Sequence, residues 1–310
     1  MFVPAYLETY EKGLLSQKVE EAWSILEECN LCPRNCGVNR LKGKKGVCKA
    51  GYLPMVSSYN PHFGEESPLV GSHGSGTIFL THCNLRCIFC QNYSISHEGE
   101  GREVSFERLA EIMIELQEIG CHNINFVTPT HYVPQILKAL DIAIKKGLKI
   151  PLVYNTSAYD SVKTLKILDG IIDIYMPDFK YADSEVAKKY SKAPDYPEVA
   201  KKAIKEMHRQ VGDLVINENG IAERGLLVRH LVLPHGLAGT HKIMEFLAKE
   251  ISKNTYVNIM DQYYPSGEVY SDLYLNRRIT PEEYSEAIEC AKKVGIHRLD
   301  KRKKRILWWI

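Results

Sequence analysis

The chain has 310 residues, 45% of them hydrophobic and 25% charged, with a formal net charge of +2. That length accommodates one barrel-sized domain with a small appendage, and the near-neutral balance argues against nucleic acid as the partner. No apolar run is long enough to cross a bilayer, and Met1-Phe2-Val3-Pro4-Ala5-Tyr6-Leu7-Glu8 lacks the basic and apolar regions of a signal peptide, so a cytoplasmic protein is expected. Nine cysteines in a reducing compartment point to metal rather than disulfides, the more so because seven of them fall in two tight groups.

Apolar residues at helical spacing (Leu14, Leu15, Val19, Ala22, Trp23, Leu26) predict helix over 5–28. The helix runs into Cys29, Cys32 and Cys36, and Cys48 follows within Gly43-Lys44-Lys45-Gly46-Val47-Cys48. Four thiols in loop-like sequence make a complete ligand set for one metal centre, and the spacing suits either zinc or an iron–sulfur cluster. Residues 51–76, rich in Gly, Pro, Ser and His, are expected to be a surface connector and domain boundary.

From Gly76 onward strands alternate with helices. Strands are expected at 77–81, 123–128, 150–155, 172–176, 226–233 and 256–262, and helices at 105–119, 133–146, 161–169, 184–211, 240–251 and 281–294. Nearly continuous apolar strands separated by amphipathic helices predict parallel strands with right-handed crossovers. The fold class is therefore α/β, a partial (β/α)6 barrel of the TIM type over 61–300. A helix and four-cysteine metal-binding region at 1–60 precedes it, and a basic, then apolar tail at 301–310 follows. In such sheets functional residues gather at the carboxyl ends of the strands.

At the end of the first of these strands lies Thr81-His82-Cys83-Asn84-Leu85-Arg86-Cys87-Ile88-Phe89-Cys90-Gln91-Asn92. A short loop with these spacings presents three thiolates to three irons of a cubane cluster and leaves the fourth iron open. An open coordination position marks a catalytic rather than a structural centre. A zinc knuckle with a borrowed fourth ligand, or buried structural thiols, are the alternatives.

Cys83-x3-Cys87-x2-Cys90, with Phe89 before the last cysteine, resembles the motif of radical SAM enzymes. The resemblance implies a 4Fe-4S cluster whose open iron chelates S-adenosylmethionine (SAM). The reduced cluster then cleaves SAM to methionine and a 5'-deoxyadenosyl radical, with Phe89 near the adenine. The N-terminal cysteines, Pro61-His62-Phe63-Gly64-Glu65-Glu66 and the later strand ends resemble, in particular, relatives of pyruvate formate-lyase activating enzymes. Many radical SAM proteins carry Gly-Gly-Glu after the second strand to hold the SAM amino group. This chain has Thr128-Pro129-Thr130-His131 there, which makes Thr128, Thr130 and His131 the candidates, with a structural role equally open for His131.

Tyr154-Asn155-Thr156-Ser157 and Met176-Pro177-Asp178-Phe179-Lys180 resemble the Asp-Thr-Asn and Met-x-Asp-x-Lys segments of the activating enzymes, with Asn155 in place of an aspartate. In that family the aspartates, the threonine and the methionine carbonyl surround a monovalent cation, and the lysine approaches the SAM carboxylate. Strand alternation independently puts Met176, Asp178 and Lys180 on one face, where a plain Asp178–Lys180 ion pair is the alternative to cofactor contact. Arg229 or His230 could reach the SAM carboxylate or the substrate, but alternation sends them to opposite faces, so one at most lines the interior. The segment Asn258 to Tyr264 brings polar and aromatic groups to the sixth strand end. Cys121 and Cys290 are expected as small core residues, and the basic run Lys301 to Arg305 as a solvated face beside tryptophans that dock on the protein or a partner.

The expected activity is hydrogen abstraction by an iron–sulfur oxidoreductase that cleaves SAM, supplied with electrons by a donor such as flavodoxin or ferredoxin. An activase would act on a glycine of a glycyl radical protein; a small molecule or RNA is the other substrate class. A metal-stabilised binding or electron-transfer module without catalysis is the competing class. No peptide- or base-reading motif names the substrate.

Overall fold

The computed structural model describes residues 2–301, so the tail from Arg302 to Ile310 lies outside the described residues. The sheet begins with β1 (Met55–His62), which runs antiparallel to β2 (Ser75–Leu80) and carries the short β3 (Arg102–Glu103) on its outer edge. From β2 the strands are parallel: β4 (Ile124–Val127), β5 (Leu152–Thr156) and β6 (Ile174–Pro177) follow in turn. After the edge strand β7 (Val215–Ile216), β8 (Ala222–Leu231) pairs with β6, and β9 (Tyr256–Met260) pairs with β8. Six parallel strands, β2-β4-β5-β6-β8-β9, thus form an open partial barrel with the crossover helices outside.

Residues 51–76 are more than a connector. Residues 55–62 alternate their side chains and pair along β2, so the 60/61 boundary expected from composition falls inside a strand of the sheet. The single helix expected at 184–211 is two, Ser184–Ser191 and Tyr196–Val211. The first ends at Lys192 in the left-handed region (φ 53°), and Pro197 sits in the first turn of the second, where its missing N–H leaves no bond unmade. The helix Phe106–Ile119 begins where the Ser105 side chain accepts the Arg108 N–H and stops at Gly120, whose φ of 99° suits a residue without Cβ.

Leu69, Val153, Ile174, Met176 and Leu227 fill the barrel interior as a small apolar plug. Each such side chain contributes about 1.5–3 kcal/mol on burial, so the plug fixes the strands beneath their carboxyl ends. The N-terminal helices Ala5–Glu11 and Leu14–Ser24 belong to the main core, with Tyr6, Leu15 and Ala22 buried in it. Tyr6 donates to the Ile150 carbonyl at 2.9 Å, and Thr164 to the Leu31 carbonyl at 2.7 Å. Among the described residues no helix is long and apolar enough to cross a membrane.

Candidate active site at the carboxyl ends of the strands

β2 ends at Leu80, and the chain turns through His82 at φ 69° into the loop that carries Cys83, Cys87 and Cys90. Each sulfur has a donor: Leu85 N–H to Cys83 at 3.3 Å, the Ser191 hydroxyl to Cys87 at 2.9 Å, and the Ser96 hydroxyl to Cys90 at 3.1 Å. Burial pushes the Cys83 and Cys87 thiols above their ordinary range, while Lys180 pulls the other way. Buried thiolates in this setting require a cationic partner, and a metal centre supplies it. The loop is braced from outside by Ile88 N–H to the Tyr190 carbonyl (2.9 Å) and Glu268 N–H to the Ile88 carbonyl (2.7 Å).

The facing wall follows from alternation. On β5, β6 and β8 the inward residues Val153, Ile174, Met176 and Leu227 belong to the plug, and the next inward positions are Asn155, Asp178 and Arg229. Arg229 donates to Asp178 (2.7 Å), to Asn155 (2.7 Å) and to Glu65 (3.3 Å), and Lys180 donates to the other oxygen of Asp178 at 2.8 Å. Burial alone would raise the Asp178 carboxyl; Arg229 and Lys180 overcome it and hold the group below the usual carboxylate range. Burial likewise opposes the charge on Lys180, but Asp178 and the Cys87 thiol hold its ammonium at about 12.

Thiols and ion network line one pocket of about 370 Å³, within the range of small-molecule sites (roughly 300–1,000 Å³). Grooves of about 600 and 1,090 Å³ elsewhere on the protein contain no cysteine. Ser157 and His82 line the pocket, and the Ser157 hydroxyl and His82 Nδ1 are buried without a hydrogen-bond partner. Polar groups left so in a site point to a ligand that completes them. Three donor-supported thiols, two cations and this hydroxyl together fit a cluster with SAM.

Of the residues expected here, Phe89, Thr128, Asn155, Thr156, Asp178, Lys180 and Arg229 line the pocket. Phe89 also packs edge-on against Tyr181 and Tyr263, at 6.2 and 6.0 Å between ring centres. Met176 keeps the expected face but lies one step lower, in the plug. Thr130 is drawn elsewhere, donating to Asp160 at 2.7 Å in a buried group with Thr156 and Tyr154. His131 is buried against the Thr81 carbonyl (3.0 Å) beside the four N-terminal cysteines rather than in this pocket, and burial lowers its imidazole to about 3. His230 points away from the interior, between the Phe179 carbonyl and Thr240, as alternation requires.

Sequence reasoning assigned no site role to the Glu65-Glu66 pair. Glu65 reaches Arg229, and Glu66 is fully buried with the Asn258 amide donating to it at 2.7 Å. Adjacent carboxylates in an otherwise apolar, glycine-bearing segment were the available signal.

Residues 77–222 match the radical SAM superfamily. The uncharacterized protein MJ0674 of Methanocaldococcus jannaschii is 34% identical over 94% of this chain and 82% of its own length. A second protein of that organism, the uncharacterized MJ0808, is 27% identical over 53% of this chain and 52% of its own length. Among solved structures, the FeFe-hydrogenase maturase HydG from Carboxydothermus hydrogenoformans shares the fold, with a TM-score of 0.51 and 12% identity over 72% of this chain. The chain spans about half of that maturase, 51% of its length. The superfamily implies a 4Fe-4S cluster and SAM, the groups that the thiol loop and its facing wall fit. The matched segment, which carries Cys83, Cys87 and Cys90 together with Asn155, Asp178 and Lys180 of the facing wall, belongs to the radical SAM superfamily.

Proposed function

We propose that this enzyme abstracts hydrogen from a glycine of a partner protein, as a glycyl radical activase does. When bound, the reduced cluster supplies the electron that cleaves the SAM sulfonium and so generates the abstracting radical. The chain's own residues do the rest. Cys83, Cys87 and Cys90 hold the cluster, and Lys180 and Arg229 offer their charge to the SAM carboxylate. Thr128, Asn155, Thr156 and Ser157 offer amide and hydroxyl groups to its other polar atoms. Arg229 stands between Asn155 and Asp178, so its guanidinium supplies the positive charge that a monovalent cation brings in activating enzymes.

The observation that carries a protein substrate is the rim. Residues 262–268 pack on the thiol loop, with Gln91 donating to the Gln262 carbonyl (3.0 Å) and Ser266 to the Cys90 carbonyl (3.1 Å). The segment then exposes Tyr270, Leu273 and Tyr274, with Leu273 93% exposed. Apolar groups left in solvent on a segment anchored to the thiol loop fit a macromolecular surface better than a small polar molecule. The test is isotopic. Reduced enzyme with SAM is incubated with protein labelled at glycine α-carbon with deuterium, and deuterium should appear in 5'-deoxyadenosine. Deuterium arriving only from a labelled small-molecule or RNA fraction would replace this substrate class.

A further inference from the structure

Cys29, Cys32, Cys36 and Cys48 surround a second cavity, completed by Leu31, Val38, Arg40 and His131. No thiol of the group is in a disulfide. Arg40 is 1% exposed and spends its hydrogen bonds on carbonyls, two to Gly51 (3.2 and 2.8 Å) and one to His131 (2.8 Å). Among the described residues no carboxylate pairs with it. A buried guanidinium without a counter-ion calls for negative charge in the space it lines. The Val47 N–H points to Cys36 Sγ at 3.5 Å, and a Cβ on Gly46 would come within 2.8 Å of the same sulfur, so glycine keeps the approach open. Among the described residues no three His, Cys, Asp or Glu side chains converge as the ligands of one ion do.

The cavity is joined to the first thiol loop through Arg34, which lines it, and Asn84. Asn84 Oδ1 lies 3.9 Å from Cys83 Sγ, and its amide nitrogen donates to the Tyr159 carbonyl at 2.7 Å. Arg34, two residues after Cys32, donates from Nε to the Asn84 carbonyl at 2.9 Å and from its terminal nitrogens to the carbonyls of Lys192 and Ser191, the latter being the residue that donates to Cys87.

We propose that Cys29, Cys32, Cys36 and Cys48 hold a second 4Fe-4S cluster, balanced by Arg40, and that the contact of Arg34 with Asn84 couples it to the SAM-binding cluster as a one-electron relay. The relay rests on the assignment of Cys83, Cys87 and Cys90 to the first cluster; the second site does not. The electron comes from a low-potential flavin or iron–sulfur protein. The second cluster passes from 2+ to 1+ and returns to 2+ as the first is reduced from 2+ to 1+, and no bond changes in the transfer.

The full chain is reconstituted anaerobically, its iron, sulfide and zinc are counted, and electron paramagnetic resonance is recorded after reduction. The wild type should hold about eight irons, and Cys83→Ala/Cys87→Ala/Cys90→Ala should keep about four with a reduced-cluster signal. One zinc and no iron in that variant, or neither metal, overturns the second cluster. If the triple variant does not fold, Cys36→Ser in the wild-type background reads the same site: it should lose iron from the second site alone, and unchanged iron overturns the proposal. SAM binding retained by the triple variant, with the N-terminal cluster intact, would instead count against the first-site assignment. For the relay, the fully reduced wild type should give a spectrum broadened by coupling between two spins. A spectrum equal to the sum of the two single-site variants overturns it.

Discussion

Asp178→Ala should cost far more stability than Lys180→Met, although the two side chains form one ion pair at 2.8 Å. Asp178 is the acceptor for two cations, Lys180 on one oxygen and Arg229, 2.7 Å away, on the other. The three side chains are only 16–18% exposed, so solvent screens them little. Removing the carboxylate strands Lys180 and leaves Arg229 only the longer ion pair to Glu65 at 3.3 Å, and breaking a buried pair from one side costs roughly 3–5 kcal/mol. Lys180→Met leaves Asp178 with Arg229 and keeps the aliphatic packing, so its cost is that of one lost hydrogen bond, about 1 kcal/mol. At roughly 2–4 °C per kcal/mol for a chain of this class, melting should fall by about 6–20 °C for Asp178→Ala and about 2–4 °C for Lys180→Met. Thermal melts by circular dichroism at matched iron content measure both. Equal losses, or an Asp178→Ala variant within 2 °C of wild type, would refute the shared-acceptor reasoning.

Lys180→Ala should raise the SAM concentration required for binding while iron content stays near normal; an unchanged affinity returns the pair to a structural role. Ser157→Ala should leave melting unchanged or higher, because it removes an unpartnered buried hydroxyl, and should weaken SAM binding by up to about tenfold. Intact SAM affinity would show that the hydroxyl faces no ligand. Because Arg229 occupies the space between Asn155 and Asp178, SAM cleavage should be indifferent to exchange of potassium for a bulky organic cation, and a strict potassium requirement would contradict that assignment. Burial, against the pull of Arg229, pushes the Glu66 carboxyl from 4.5 up to about 7, so the folded state keeps a proton that the unfolded chain releases. Its contribution to stability is therefore complete below about pH 4.5 and lost as pH rises through 7. Glu66→Gln fixes the neutral form, so its melting advantage over wild type should grow across that interval; a difference that stays flat with pH would refute the buried-carboxyl account.

The barrel was legible because its strands are buried on both faces and read as apolar runs, and its helices carry period-3.6 faces. The thiol spacing and the period-two placement of Asp178 against Arg229 and His230 were legible for the same local reasons. β1 was not, because its side chains are half exposed and its Pro61 and Ser positions resemble loop composition; pairing along β2 decides its state. His131 and Thr130 were not placeable from periodicity because the turn after β4 lifts them off the strand's alternation. Thr128 at φ 59° redirects the chain, sending Thr130 to Asp160 and His131 toward Cys48 and its neighbours. Glu65 and Glu66 enter the site through tertiary contact alone, with Arg229 and Asn258, which lie 164 and 192 residues away in sequence.

The account stands most directly on whether the thiol loop after β2 cleaves SAM. Anaerobically reduced wild type given SAM should release methionine and 5'-deoxyadenosine in equal amounts. Cys83→Ala/Cys87→Ala/Cys90→Ala, with iron still bound at the N-terminal cysteines, should release neither. Release of 5'-deoxyadenosine by that variant at the parental rate would contradict the account.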